Sequence, residues 1–154
     1  MGRLAQVGGV ALDARRVVRL QSGGELADAA RWIAGDFLAA LGVRVRIDGE
    51  VPTAPGLVAI RARDLAGFVA ALAAVPAIVD GDTLPVRWRV ALRFLGMPLC
   101  ATSGPAAAGA SVAVLATPRW SLTGAAACTV TVGEDAQGYR VRVAPVARAC
   151  LPAA

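Results

Sequence analysis

The sequence predicts an α/β fold: a single layered domain with a central, mostly parallel sheet, flanking helices and a C-terminal β-hairpin. Segments with helical periodicity alternate with short apolar runs along the chain, as they do when strands are joined by crossover helices. The apolar runs lack polar alternation, which is typical of parallel strands buried on both faces. Near the C-terminus, two segments of alternating hydrophobicity flank a stretch bounded by Gly133 and Gly138, and this pattern predicts the hairpin.

The first predicted helix has signals at both of its ends. Ser22 and Glu25 form a capping box at the start. Apolar residues then recur at spacings of three and four positions, with charged residues elsewhere around the helix. Gly42 is a typical C-terminal stop. We therefore expect a helix over residues 22–41.

After this helix, strand and helix patterns alternate. Residues 43–48 alternate apolar and charged side chains, which predicts a strand with one buried face. Asp64 is placed to cap a second helix, and Pro85 to occupy the first position of a third. The predicted elements after the first helix are strands 43–48 and 57–60, helix 64–75, strand 77–79, helix 86–95, strand 111–116, and the hairpin strands 128–132 and 139–143.

The length of 154 residues suits one domain. We expect a basic N-terminal segment, residues 1–24, followed by the α/β domain, residues 25–154. The longest run without charge, residues 94–118, is interrupted by three prolines and three glycines, so no transmembrane segment is predicted. The N-terminus is a poor match to a signal peptide. We expect a cytoplasmic protein, with peripheral association at the inner face of the plasma membrane as an open alternative.

All sixteen basic residues are arginines, and the formal net charge is +5. Such a charge attracts phosphate-bearing partners, either nucleic acid or anionic lipid. The sequence has no zinc-finger, helix-turn-helix or RNP pattern, and its aromatic residues are not interleaved with arginines, which makes nucleic acid the less favoured partner. The expected partner is therefore an anionic lipid or membrane surface, and a protein partner stays open.

The chain contains no histidine, the general base of most serine, cysteine and acyl-transfer mechanisms. Cys100, Cys128 and Cys150 are widely spaced and form no Cys-x-x-Cys pair. We expect them to be small buried residues in a reducing compartment rather than metal ligands. The sequence thus leads us to assign no cofactor and no metal.

A predicted helix, a Leu-Gly-Val-x-Val strand, a Gly-x-x-Pro turn and a buried strand follow one another in residues 31–60, RWIAGDFLAALGVRVRIDGEVPTAPGLVAI. In the order and apolar character of these elements the chain resembles the 1-acyl-glycerol-3-phosphate acyltransferase family, the glycerolipid acyltransferases that esterify lysophosphatidic acid. The resemblance extends to residues 68–79, 85–96, 111–115 and 143–146. The resemblance implies an α/β scaffold from phospholipid metabolism.

The chain departs from this family at its chemical positions. The first family block is Asn-His-x-Ser-x-x-Asp; aligned after the second strand, its His falls on Ala62 and its Asp on Gly67. The second block matches residues 96–99 without the Arg that follows it, and the third, at residues 115–119, lacks its Glu. The helix between these two blocks is replaced by the loop 102–109. The resemblance therefore implies a diverged, truncated member that lacks the His-x4-Asp motif and is inactive.

The resemblance and the charge together predict a function. We expect a non-catalytic acyltransferase-like protein that acts at an anionic lipid or membrane surface, or as the partner of an active acyltransferase. Two alternatives stay open: an unrelated small α/β scaffold or interaction module with no lipid role, and a decayed enzyme with no selected activity. No catalytic residue is assigned. The candidate lipid- or phosphate-binding residues are Arg61, Arg63, Arg87, Arg89 and Arg119.

Overall fold

The computed structural model of the chain describes residues 23–100, 109–116 and 126–146. The predictions for the basic segment, for Ser22 and for most of the loop 102–109 lie outside these residues. The helices that the model describes are α1 Gly23–Ala40, α2 Leu65–Ala74 and α3 Val86–Phe94. The strands are β1 Arg44–Asp48, β2 Leu57–Arg61, β3 Ile78–Asp80, β4 Leu99–Cys100, β5 Val112–Leu115, β6 Ala126–Asp135 and β7 Gly138–Pro145.

Within the described residues, the seven strands form one sheet in the order β1-β7-β6-β2-β5-β3-β4. Neighbouring strands pair in parallel except β6 and β7, which form an antiparallel hairpin. The predicted fold class is confirmed. The hairpin is an interior part of the sheet, because β6 also pairs with β2 and β7 also pairs with β1.

The three apolar runs predicted as buried strands are adjacent, with β5 between β2 and β3. Val58, Ala113 and Val79 lie in one row across these strands and are buried. Ala59 and Val114, which alternate with them and so lie on the opposite face, are buried as well. Burial on both faces explains why these strands are apolar throughout.

Local signals set the ends of the helices. α1 is followed by Gly42, whose φ of 72° is a conformation that glycine adopts readily. Asp64 caps α2 as predicted, because its side chain accepts a hydrogen bond from the backbone N–H of Gly67 at 2.7 Å. Pro85 was predicted as the first residue of the third helix, but its ψ of 142° makes it the N-cap residue. The chain leaves α3 through Gly96, with a φ of 80°.

The hairpin strands are longer than predicted. We expected a turn over residues 133–138, whereas only Ala136 and Gln137 form it. The strand pairing continues into the predicted turn, up to Gly138. A Cβ atom on Gly138 would collide with the backbone of Arg44 in β1, so glycine at this position lets β1 and β7 pair closely.

The helices cover one face of the sheet over a core of mostly small side chains. Phe68 of α2 and Trp88 of α3 supply its main aromatic contact, with ring centroids 5.9 Å apart. Ile33 and Leu38 of α1 are fully buried in the same core. On β1, β6 and β7 the residues that alternate with the core positions are mostly polar or charged, and most of them are exposed. This part of the opposite face of the sheet is therefore open.

Candidate functional site

The segment aligned with the first acyltransferase block lies at the carboxyl end of β2. Ala62 follows the strand and is half-buried, and Asp64 caps α2. In open α/β sheets, ligands commonly bind at the carboxyl ends of the strands. A shallow depression of about 250 Å³ lies here, lined by Arg63, Asp64, Gly67, Val132, Gly133, Glu134 and Tyr139.

The carboxylate of Asp64 is engaged by two donors. Its Oδ1 atom accepts the backbone N–H of Gly67 at 2.7 Å and the hydroxyl of Tyr139 at 3.4 Å. Burial raises the pKa of Tyr139, and the negative charge of Asp64 raises it further, so the phenol is protonated at neutral pH and serves as a donor. The arrangement caps α2 and connects it to β7.

Gly67, which aligns with the Asp of the family block, has little room for a side chain. A Cβ atom there would lie 3.1 Å from Oδ1 of Asp64 and 3.3 Å from Cγ1 of Val132. Contacts this short force the neighbouring atoms to shift, and a carboxylate would also meet the like charge of Asp64. The packing of the depression is therefore adapted to glycine.

Of the two predicted arginines at this end of β2, only Arg63 lines the depression. Arg61 is exposed at the end of the strand, level with Thr131 of β6 and on the face away from the helices. Arg63 is exposed at the rim of the depression. Arg119 lies outside the described residues. The structure thus does not gather the predicted arginines that it describes into one site.

The most exposed large apolar side chains of the described residues lie on α3. Val86, Val90 and Phe94 are 68%, 63% and 63% exposed. Because they are four residues apart, they form one stripe along the helix; we call it the α3 stripe. The other side of α3 buries Trp88 and Leu92 in the core. The α3 stripe therefore faces away from the core.

Arginines border the α3 stripe on both sides. Helical spacing places Arg87 beside one edge and Arg93 beside the other, and both are exposed. Arg89, also predicted as a phosphate contact, is half-buried: its Cδ lies close to Gly81, and its Nε is buried with no hydrogen-bond partner within the described residues. Arg87 and Arg93 are therefore better placed than Arg89 to meet an external phosphate.

Two surfaces of the structure were not predicted from the sequence. One is the α3 stripe, whose signal was the four-residue spacing of its apolar side chains. The other is a group of exposed arginines on the open face of the sheet, signalled by alternating arginines in β1 and β7. Its central members are Arg46, Arg140 and Arg142.

No helix among the described residues is long and apolar enough to cross a membrane. The described side chains also include no cluster of three or more His, Cys, Asp or Glu residues suited to a metal ion. Burial raises the pKa of the Cys128 thiol, and burial together with the charge of Asp80 raises that of Cys100. Both thiols are therefore protonated and poorly nucleophilic at neutral pH.

No family model matches the chain, and no curated protein or solved structure gives a match.

Proposed function

We propose that this chain is a catalytically inactive protein that binds anionic membrane surfaces through α3, on a scaffold similar to that of the glycerolipid acyltransferases. The observation that carries the proposal is the exposed α3 stripe between Arg87 and Arg93. An amphipathic helix of this kind lies in the plane of a bilayer interface, with its apolar side chains towards the acyl chains. Its arginines then meet the lipid phosphates, with which guanidinium groups form strong charge-assisted hydrogen bonds.

The α3 stripe and its arginines each contribute modestly. The stripe is about 12 Å long, and burying its three partly covered side chains contributes on the order of 3–5 kcal/mol. Two arginines near an anionic surface add about 2 kcal/mol. Because this sum supports only weak, reversible association, we expect binding to require both the apolar and the electrostatic contribution.

The lack of catalysis is supported by the residues at the carboxyl end of β2. Ala62 offers no group that accepts a proton, Gly67 offers no orienting carboxylate, and the sequence contains no histidine. Loss of a general base typically lowers a rate by about 10²–10⁴-fold. The proposed role is therefore binding at the lipid surface rather than chemistry on a lipid.

Cosedimentation with phosphatidylcholine vesicles, with and without phosphatidic acid, tests the proposal. We expect binding to the anionic vesicles at low ionic strength and release as the salt concentration rises, because screening weakens Coulomb attraction. The double variant Val90→Ser with Phe94→Ser should lose binding, and so should Arg87→Gln with Arg93→Gln. The matched control removes two arginines from the open face of the sheet, Arg140→Gln with Arg142→Gln, and should keep binding.

Three results would contradict the membrane proposal. One is equal partition onto neutral and anionic vesicles. Another is equal loss of binding in the two arginine double variants, which would mean that only net charge matters. The third is absence of binding to any vesicle, which would favour the alternative of an interaction module that has no lipid role.

A further inference from the structure

A second group of arginines lies on the open face of the sheet, away from the helices. Arg140 and Arg142 of β7 are exposed, whereas Val141 and Val143, which alternate with them, are buried in the core. The parallel register between β1 and β7 places Arg46 opposite Arg140. We call this surface, formed by β1, β6, β7 and the end of β2, the arginine face.

The arginine face contains a depression of about 390 Å³ on β6 and β7. Its floor is open because Gly133 has no side chain, and a Cβ atom there would meet no atom within 4 Å. Thr131, level with Arg142, adds a hydroxyl group to the wall. The depression is lined by Thr131, Gly133, Glu134, Asp135, Arg140 and Arg142.

The arginine face is positively charged. It carries five arginines against two aspartates and Glu134 of the depression. Arg140 lies 3.7 Å from Asp48 and 3.8 Å from Asp135, and ion pairs as exposed as these are weak. Arg142 has no ion-pair partner within the described residues. The guanidinium groups are therefore available to an anionic partner. The five arginines are Arg44, Arg46, Arg61, Arg140 and Arg142.

We propose that the arginine face binds an acidic segment of a partner protein, whose carboxylates pair with Arg140 and Arg142. Guanidinium groups bind carboxylates through two parallel hydrogen bonds. Residues two positions apart in a strand are about 7 Å apart. Carboxylates at alternate positions of an extended segment have this spacing, and those one turn apart on a helix come close to it.

The charges of the arginine face favour a protein over a nucleic acid. Asp48 and Asp135 flank Arg140 and repel any polyanion, but a protein segment can place basic side chains opposite them, which a phosphate backbone cannot do. The described residues of this face also include no aromatic side chain on which a base could stack. An acidic protein segment that also carries basic side chains therefore complements both signs of charge.

This interaction goes beyond the membrane proposal, because α3 lies on the other side of the sheet. Trp88 and Leu92 of α3 pack into the same core as Val141 and Val143, so the α3 stripe and the arginine face are directed away from each other. A bilayer at α3 leaves the arginine face in solution. The protein can thus hold an acidic partner while it is bound to a membrane.

Fluorescence anisotropy with labelled decaglutamate at low ionic strength tests the inference. Arg140→Gln with Arg142→Gln should weaken binding about tenfold. The matched control, Arg87→Gln with Arg93→Gln, removes the same charge from α3 and should change binding by only about twofold. A further variant, Gly133→Asp, keeps both arginines and puts a competing carboxylate in the depression, so it should also weaken binding. Circular dichroism checks that each variant is folded.

Equal weakening by the two arginine double variants would overturn the inference, since only net charge would then matter. Tighter binding of decathymidylate than of decaglutamate through Arg140 and Arg142 would assign the face to nucleic acid and also overturn it. If Arg140→Gln with Arg142→Gln abolishes binding to phosphatidic acid vesicles, the arginine face binds the membrane, and this result would also overturn the inference. If neither the unmodified chain nor any variant binds vesicles but the chain still binds decaglutamate, the membrane proposal is wrong and the proposal of an acidic partner is supported.

Discussion

Tyr139 donates a hydrogen bond from its hydroxyl to Oδ1 of Asp64, 3.4 Å away, and so connects β7 to the first turn of α2. The same oxygen accepts the backbone N–H of Gly67. In the family that the sequence resembles, this segment carries out the reaction. Here it fixes the start of a helix against the hairpin, which is a structural role and can be tested as one.

Asp64→Ala should lower the free energy of unfolding by about 1 kcal/mol, because it removes the side-chain acceptor at the start of α2. Asp64→Asn keeps an acceptor oxygen and should lower it less. Urea denaturation of the three proteins measures both changes. Equal losses in the two variants would mean that the charge of Asp64, and not its capping hydrogen bond, stabilises the fold.

The free energy of unfolding should fall as the pH rises above about 10, the ordinary pKa of tyrosine. Burial, followed by the charge of Asp64, raises the pKa of Tyr139 in the folded protein. The folded state therefore holds the phenolic proton more tightly than the unfolded state. The resulting stabilisation is complete below the unfolded pKa and is lost as the pH passes through the higher folded value.

Tyrosinate absorbance reports this titration directly, because Tyr139 is the only tyrosine in the chain. Tyr139→Phe should show a smaller alkaline loss of stability. The thiols of Cys100 and Cys128, whose pKa values are also raised, act alike in both proteins and cancel in the comparison. A tyrosine that titrates at or below its ordinary pKa in the folded protein would contradict the prediction.

Two substitutions on α3 should have very different effects on stability. Leu92 is fully buried, so Leu92→Ala should lower the free energy of unfolding by about 2–5 kcal/mol through lost packing and a cavity. Val90 is 63% exposed, so Val90→Ser should change it by no more than about 0.5 kcal/mol. Urea denaturation compares them. Similar losses in both variants would show that the α3 stripe is packed in solution, which contradicts its exposure.

The purified chain should transfer no acyl group from acyl-CoA or acyl-carrier protein to lysophosphatidic acid. Ala62 cannot act as a base. Restoring the family residues with Ala62→His and Gly67→Asp should recover little activity, because a side chain at Gly67 crowds Asp64 and Val132. The measurement is product formation against a boiled sample. Robust transfer by the unmodified chain would overturn the inactive assignment.

The same crowding predicts that Gly67→Asp alone lowers the free energy of unfolding by about 1–3 kcal/mol. The added carboxylate must displace the side chain of Asp64 and thereby weaken the cap of α2. Denaturation of the single variant separates this structural cost from any effect on activity. An unchanged midpoint would show that the depression accommodates the side chain.

The sequence predicted the elements of this fold better than their arrangement. The cap at Asp64 and the stop at Gly96 depend on a few neighbouring residues, so their signals are local. The order of the strands is different, because β5 inserts between β2 and β3 through contacts distant in the sequence. The hydrophobic periodicity of a segment does not indicate which strands it will pair with.

The candidate surfaces were harder to predict for a related reason. Both sides of α3 carry apolar side chains: Val86 and Val90 on one, Trp88 and Leu92 on the other, each pair four residues apart. Only packing against α2 and the sheet decides which side is buried, so the spacing alone did not reveal the α3 stripe. Likewise, the arginine face joins β1 to β7, and their pairing is set by the tertiary structure.

The pairing of β1 with β7 has a consequence for synthesis on the ribosome. Arg44 and Gln137, whose side chains form a hydrogen bond of 2.9 Å, are 93 positions apart. β1 leaves the ribosome well before the strand with which it pairs in the described sheet, because this long interval separates them. Until then the nascent chain exposes an unpaired edge, and a closure over so many residues is slow. The charges of Arg44 and Arg46 disfavour pairing of β1 with other nascent chains until β7 is available.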